Sequence, residues 1–97
     1  MVMRVKYSPL FLAKVKKVDV RIYKSLREKI AIFLKDPNNS QLDNHELYRE
    51  WEGFRSIDVT SDWRAVYQEI DEGNEIIAYF TTLGTHEELY ETNKLSS

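Results

Sequence analysis

The run from Gly53 to Tyr67, G-F-R-S-I-D-V-T-S-D-W-R-A-V-Y, restricts this chain to folds that can hold a short β-hairpin. Ile57, Val59, Ala65 and Tyr67 suit a half-buried pleated surface, whereas Arg55, Asp58, Asp62 and Arg64 do not. Gly53 permits a turn into a strand from Phe54 to Val59, Thr60-Ser61-Asp62 turns the chain again, and Trp63 to Ile70 returns antiparallel. A hairpin this short crowds the four charged side chains together. They form either a structural ion-pair network or a site, and the stretch alone leaves both open.

The flanks complete the fold. Residues 2–7 alternate as a strand does. Ser8-Pro9 reads as a helix start, with Ser8 as N-cap and Pro9 in the first helical position. Phe11, Val15 and Val18 then share one face. Asp19 is the N-cap of a second helix whose stripe runs through Ile22 or Tyr23, Leu26, Ile30 and Phe33. That helix ends at Asp36-Pro37, because the residue before proline is pushed out of the α region. After a polar loop, Leu47 to Trp51 reads as a strand or extended arm. Asp71-Glu72-Gly73-Asn74 is a hairpin turn, and Glu75 to Leu83, the most apolar strand, is placed at the sheet centre. Gly84-Thr85-His86 breaks it, and one helical turn, Glu87 to Tyr90, precedes a polar tail. The expectation is a single α+β domain, 1–97: a strand, a helical hairpin, then three or four antiparallel strands with the helices on one sheet face.

With 97 residues, the chain is long enough for one modest core without staples. It has no cysteine, which leaves no disulfide framework and no thiolate zinc site and fits a reducing cytosol. Its N-terminus lacks a signal peptide's apolar core, and its longest apolar runs, Ile30 to Leu34 and Ile76 to Phe80, are too short to span a bilayer. A cytoplasmic protein with no membrane partner is expected. The net charge of −2 hides a division: residues 1–35 carry ten basic side chains against two acidic ones, and residues 36–97 carry four against fourteen. The basic half, including Lys14, Lys16, Lys17, Arg21 and Lys24, suits a phosphate backbone or an acidic protein partner, or is simply a solvated helix face.

His45 and His86 are the chain's two histidines, and both fall at the ends of elements. Imidazole titrates near neutrality, which suits proton transfer. No ligand spacing supports a metal site, and no glycine-rich phosphate loop or serine triad motif is present. No cofactor is called for. Trp63 reads as a core residue at a strand start and Tyr90 as packing of the last turn, unless a site claims either.

The run His45-x-Leu47-x-x-x-Trp51-x-Gly53-Phe54-Arg55, then Asp62-Trp63, then Gly84-Thr85-His86-x-x-x-Tyr90, resembles the RelE/ParE superfamily of toxins from type II toxin–antitoxin systems, in particular the YafQ-type branch. The resemblance follows the whole chain in element order and is motif-level from Leu42 to Tyr90. It implies a small RelE-like α+β endoribonuclease, an mRNA interferase that cleaves mRNA, typically on the ribosome, and is held inactive by a cognate antitoxin. His45, Asp62, Trp63 and His86 match the YafQ-type catalytic pattern, Tyr90 stands for its terminal aromatic, and Arg64 matches a RelE-type arginine. Asp58 stands where that branch has a second strand histidine, and Arg49 where it usually has glycine.

Metal-independent RNA cleavage needs a base for the 2′-OH, a cation for the charge gathering on phosphorus and an acid for the 5′-oxygen. On this resemblance His86 is the acid and Arg64, with Arg55, stabilises the phosphorane. Asp62, Asp58 or His45 is the base or orienter. Trp63 or Tyr90 stacks a base, and the lysine-rich helices grip phosphates. Two alternatives remain at this point: a ParE-like toxin acting on a topoisomerase by protein contact, and a catalytically weak relative kept as a partner-binding module.

Overall fold

The computed structural model describes residues 2–90; the polar tail after Tyr90 lies outside the described residues. Val2–Tyr7 forms β1, Pro9–Val15 α1 and Val20–Lys35 α2. His45–Glu46 forms β2, Arg55–Asp58 β3, Trp63–Glu72 β4 and Glu75–Thr85 β5, after which residues 86–90 are helical. Both helix starts are set by their caps. Ser8 Oγ accepts the Phe11 N–H at 2.9 Å and donates to the Thr81 carbonyl at 2.6 Å, so one hydroxyl starts α1 and ties it to β5. Asp19 accepts the Arg21 N–H at 2.6 Å, and α2 stops at Asp36 as Pro37 requires.

The strand order is β1-β5-β4-β3-β2, with β1 parallel to β5 and every other pair antiparallel. Five strands therefore make the sheet, because β1 adds to the outer edge of β5. For the same reason the middle position belongs to β4 and not to β5, where its apolar sequence had put it. The two helices cover one sheet face. Phe11, Leu26, Ile30 and Phe33 pack there on Ile57, Ala65, Tyr67, Ala78 and Phe80. Phe33 meets Tyr67 and Phe80 edge-on, with ring centroids 5.1 and 5.5 Å away. The Tyr67 hydroxyl, carried into this core, is satisfied by Asn44 Nδ2 at 2.8 Å. Val18 falls beyond the end of α1, in the connecting turn, yet still packs against the core.

The second correction concerns Leu47 to Trp51. Strand pairing ends at Glu46, and Arg49–Trp51 is a 3₁₀ turn. Tertiary contacts override the extended pattern. Trp51 turns down to meet Phe54 edge-on at 5.5 Å, and its indole N–H donates to the Leu89 carbonyl at 3.2 Å. With Leu47, Val66, Leu89 and Tyr90 these residues make a second, smaller cluster on the sheet face away from the helices.

Candidate active site

The face away from the helices carries a cavity of about 760 Å³, and His45, Arg64, His86 and Tyr90 all line it. Strand alternation decides which charged residues reach it. Asp58 and Arg64 are cross-strand partners, so their side chains emerge together on this face. Arg64 Nε lies 3.0 Å from Asp58 Oδ1, and the two side chains are only 16% and 28% exposed. The Nε–H is not aimed at that oxygen, which has no hydrogen bond, so the pair is a charge contact. The guanidinium is oriented instead by the β3–β4 turn: Nη1 donates to the carbonyls of Thr60, Ser61 and Trp63 at 3.0, 3.1 and 3.2 Å. Burial pushes the Asp58 carboxyl above its ordinary range, against the pull of Arg64.

His86 is placed by the same turn. Its backbone N–H donates to the Asp62 carbonyl at 2.9 Å. The helix it begins is closed by a capping box, in which Thr85 Oγ1 accepts the Glu88 N–H at 3.1 Å and Glu88 Oε1 accepts the Thr85 N–H at 2.8 Å. That bond from the Thr85 N–H holds the Glu88 carboxyl below its usual range. The T-x-x-E spacing is the sequence signal by which this helix start is legible. Gly84 pairs with Arg64 across the strands, and a Cβ there would press on Leu89 and Glu88 at 3.4 Å, so the glycine lets the helix close over the strand end. The His86 ring rests edge-on against Tyr90, with centroids 4.6 Å apart.

His45 sits on β2, its Nδ1 2.7 Å from the Asp43 carbonyl. A carbonyl only accepts, so Nδ1 carries a proton, and in the neutral ring Nε2 then keeps the lone pair. Asp43 was not singled out from the sequence. Its contribution is a backbone oxygen, which side-chain identity does not announce. Tyr48, Arg49, Glu50 and Trp51 complete the wall. Asn44 holds the loop before His45, donating to the Pro37 carbonyl at 2.9 Å and accepting from Arg55 Nε at 3.0 Å.

The other candidates lie elsewhere. Arg55 is on the edge beside Glu46, 3.6 Å from its carboxylate, and lines a separate cavity of about 320 Å³. Trp63 packs against the helix-side core. The exposed Asp62 side chain does not line the cavity; that residue acts through its backbone. Lys14, Lys16, Lys17, Arg21 and Lys24 belong to the helical hairpin, and none lines the cavity. Arg21 pairs with its own N-cap, Asp19, and Lys14 is near enough to Glu88 to favour its charged form. Of the charged and titratable side chains expected to act together, the cavity gathers His45, Arg64 and His86.

Comparison with known proteins agrees with the arrangement. No curated protein sequence matches. Among solved structures, YafQ from E. coli strain BL21(DE3) superposes with a TM-score of 0.73 at 24% identity, over 91% of this chain and 98% of that one. YafQ in the E. coli DinJ–YafQ complex matches with a TM-score of 0.60 at 27% identity, over 91% and 98%. A YoeB/ParE toxin from Agrobacterium tumefaciens shares the fold, with a TM-score of 0.70 at 17% identity over 87% and 99%. The family model for YafQ, bacterial toxin of type II toxin–antitoxin system, matches residues 3–91. Nearly the whole chain thus fits one family in sequence and in fold, and it belongs to the YafQ toxins of type II toxin–antitoxin systems.

Proposed function

We propose that this toxin is an endoribonuclease that cleaves mRNA on the ribosome by attack of a ribose 2′-OH on the adjacent phosphodiester. The observation that carries the reading is the convergence of His45, Arg64 and His86 on one cavity. His45 Nε2 takes the 2′-OH proton, since its tautomer is fixed by the Asp43 carbonyl. The 2′-oxygen attacks phosphorus, and the charge that gathers on the non-bridging oxygens faces the guanidinium of Arg64. His86, as imidazolium, protonates the departing 5′-oxygen, leaving a 2′,3′-cyclic phosphate. Tyr90 braces the His86 ring, and the carbonyls of the β3–β4 turn hold the Arg64 guanidinium in place.

The test is cleavage of an mRNA by the purified chain, with and without ribosomes. Wild type cuts, and His86→Gln retains its fold but loses on the order of 10²–10⁴-fold in rate. Equal activity, or equal inactivity, of the two proteins refutes the assignment. An inactive wild type that still arrests growth would favour action by protein contact.

Antitoxin control fits the opposite face. The helical hairpin leaves an apolar groove of about 440 Å³ between α1 and α2, lined by Phe11, Leu12, Val15, Tyr23 and Leu34 and set in the basic half of the chain. An amphipathic antitoxin segment with acidic flanks complements it. The E. coli relative is itself described in complex with DinJ. Co-purification with the antitoxin should survive His86→Gln and be lost in Leu12→Asp.

A further inference from the structure

The wall of the cavity contains an arginine in a conformation that arginine rarely adopts. Arg49 has a φ of +61°, in the left-handed region. The other described residues with positive φ are Gly53, Gly73 and Asp43. Glycine adopts this region freely, and aspartate tolerates it through its short polar side chain. Arginine has neither property. The turn does not use the arginine side chain: Arg49–Trp51 is held by the Tyr48 and Arg49 carbonyls and by the Trp51 anchor.

Charge supplies the second observation. Asp43, Glu46 and Glu50 line the same cavity, and each repels an RNA backbone. Of the two guanidiniums that line it, Arg64 is already engaged with Asp58 and three carbonyls. Arg49 makes no ion pair and no side-chain hydrogen bond among the described residues, and it is exposed. Its guanidinium stands in solvent at the cavity wall, free to meet an anion.

We infer that Arg49 is a substrate-binding residue, contacting a phosphate of single-stranded RNA next to the one that is cut. The inference rests on the nuclease reading and deepens it. The side chain offsets the acidic wall and positions the strand so that the scissile phosphate meets Arg64. Strain retained at such a place is commonly tied to function.

The test uses the whole chain and an RNA of about ten nucleotides carrying 2′-O-methyl groups throughout. Methylation removes the attacking hydroxyl, so binding is read without cleavage. Arg49→Gly should melt ~4 °C higher, because the left-handed strain is relieved. It should also bind the RNA about tenfold more weakly, with a log–log salt slope shallower by ~0.7, the change for one phosphate contact on a single strand. Arg49→Lys should keep most of that slope. An Arg49→Gly chain with wild-type affinity and slope overturns the inference. So does a melting temperature no higher than wild type, or a wild type that binds no oligonucleotide at low salt. Failure of the nuclease reading looks different: Arg49-dependent binding persists while mRNA stays intact both with and without ribosomes.

Discussion

The two faces of the sheet are built on opposite terms. Under the helices, Phe11, Phe33, Tyr67 and Phe80 interlock at ring distances between 5.0 and 5.7 Å, and the Tyr67 hydroxyl carried in among them is bonded. On the far face Leu47, Val66 and Leu89 form a much smaller buried cluster, with Trp51, Phe54 and Tyr90 around them. There the Ser56 hydroxyl is buried with no hydrogen-bond partner among the described residues, burial pushes the Asp58 carboxyl up, and Asp43 and Arg49 hold left-handed backbone. One face is closely packed and its polar groups are bonded; the other retains local costs beside the charges that line a cavity. Active sites commonly concentrate such costs, and a well-packed opposite face is what permits it.

The contrast is broken most directly by Phe33→Ala. It should destabilise the chain by ~3–5 kcal/mol, read by denaturant unfolding, because the ring is wholly buried against two aromatic neighbours. A loss of under 1 kcal/mol would mean that the helix face does not carry the fold.

Arg64→Ala tests the other face. Cleavage should fall by about 10²–10³-fold, as for loss of a transition-state charge donor. Stability should fall by only ~1–2 kcal/mol, since the Asp58 carboxylate loses its counter-charge. Adding Asp58→Asn should recover much of the stability and none of the rate. Recovery of rate in the double variant would show that Asp58, rather than Arg64, limits the chemistry.

Thr85→Ala separates positioning from packing. Loss of the cap should cost ~0.5–1 kcal/mol and expose the Glu88 amide to faster hydrogen exchange. The reciprocal carboxylate bond carries its own pH signature. The Glu88 pKa is lower folded than unfolded, so its stabilisation is present above the unfolded value and is lost as pH falls through the folded one. Amide exchange at Thr85 should therefore accelerate under acid conditions in wild type but not differentially in Glu88→Gln.

The smallest effect is expected at Asp58. Its folded pKa is raised, so its favourable contribution is complete below the unfolded value near ~3.9 and is lost as pH rises through the folded one. Asp58→Asn should remove that segment from the pH–stability curve and change stability at neutral pH by less than ~1 kcal/mol. An unaltered curve would place the raised titration on another group.

Much of the scaffold is decided by near neighbours in the chain. Ser8-Pro9, Asp19 and Asp36-Pro37 bound the helices because caps and proline act within three or four residues. The Asp58–Arg64 pairing follows from the hairpin turn, and Thr85 to Glu88 sets the last helix start for the same local reason. What needed the tertiary structure was the sorting of charges. Arg55 and Trp63 stand in the same hairpin as Asp58 and Arg64, yet strand alternation and the helix layer send them to the other face. Leu47 to Trp51 reads as a strand by pattern, but Trp51 finds its partner at Leu89, far along the chain, and the backbone turns at Arg49 to reach it. Local dihedral preference reaches only a few residues; which face a cavity opens on, and which carbonyl fixes a histidine's proton, depend on contacts that exist only once the distant segments have packed.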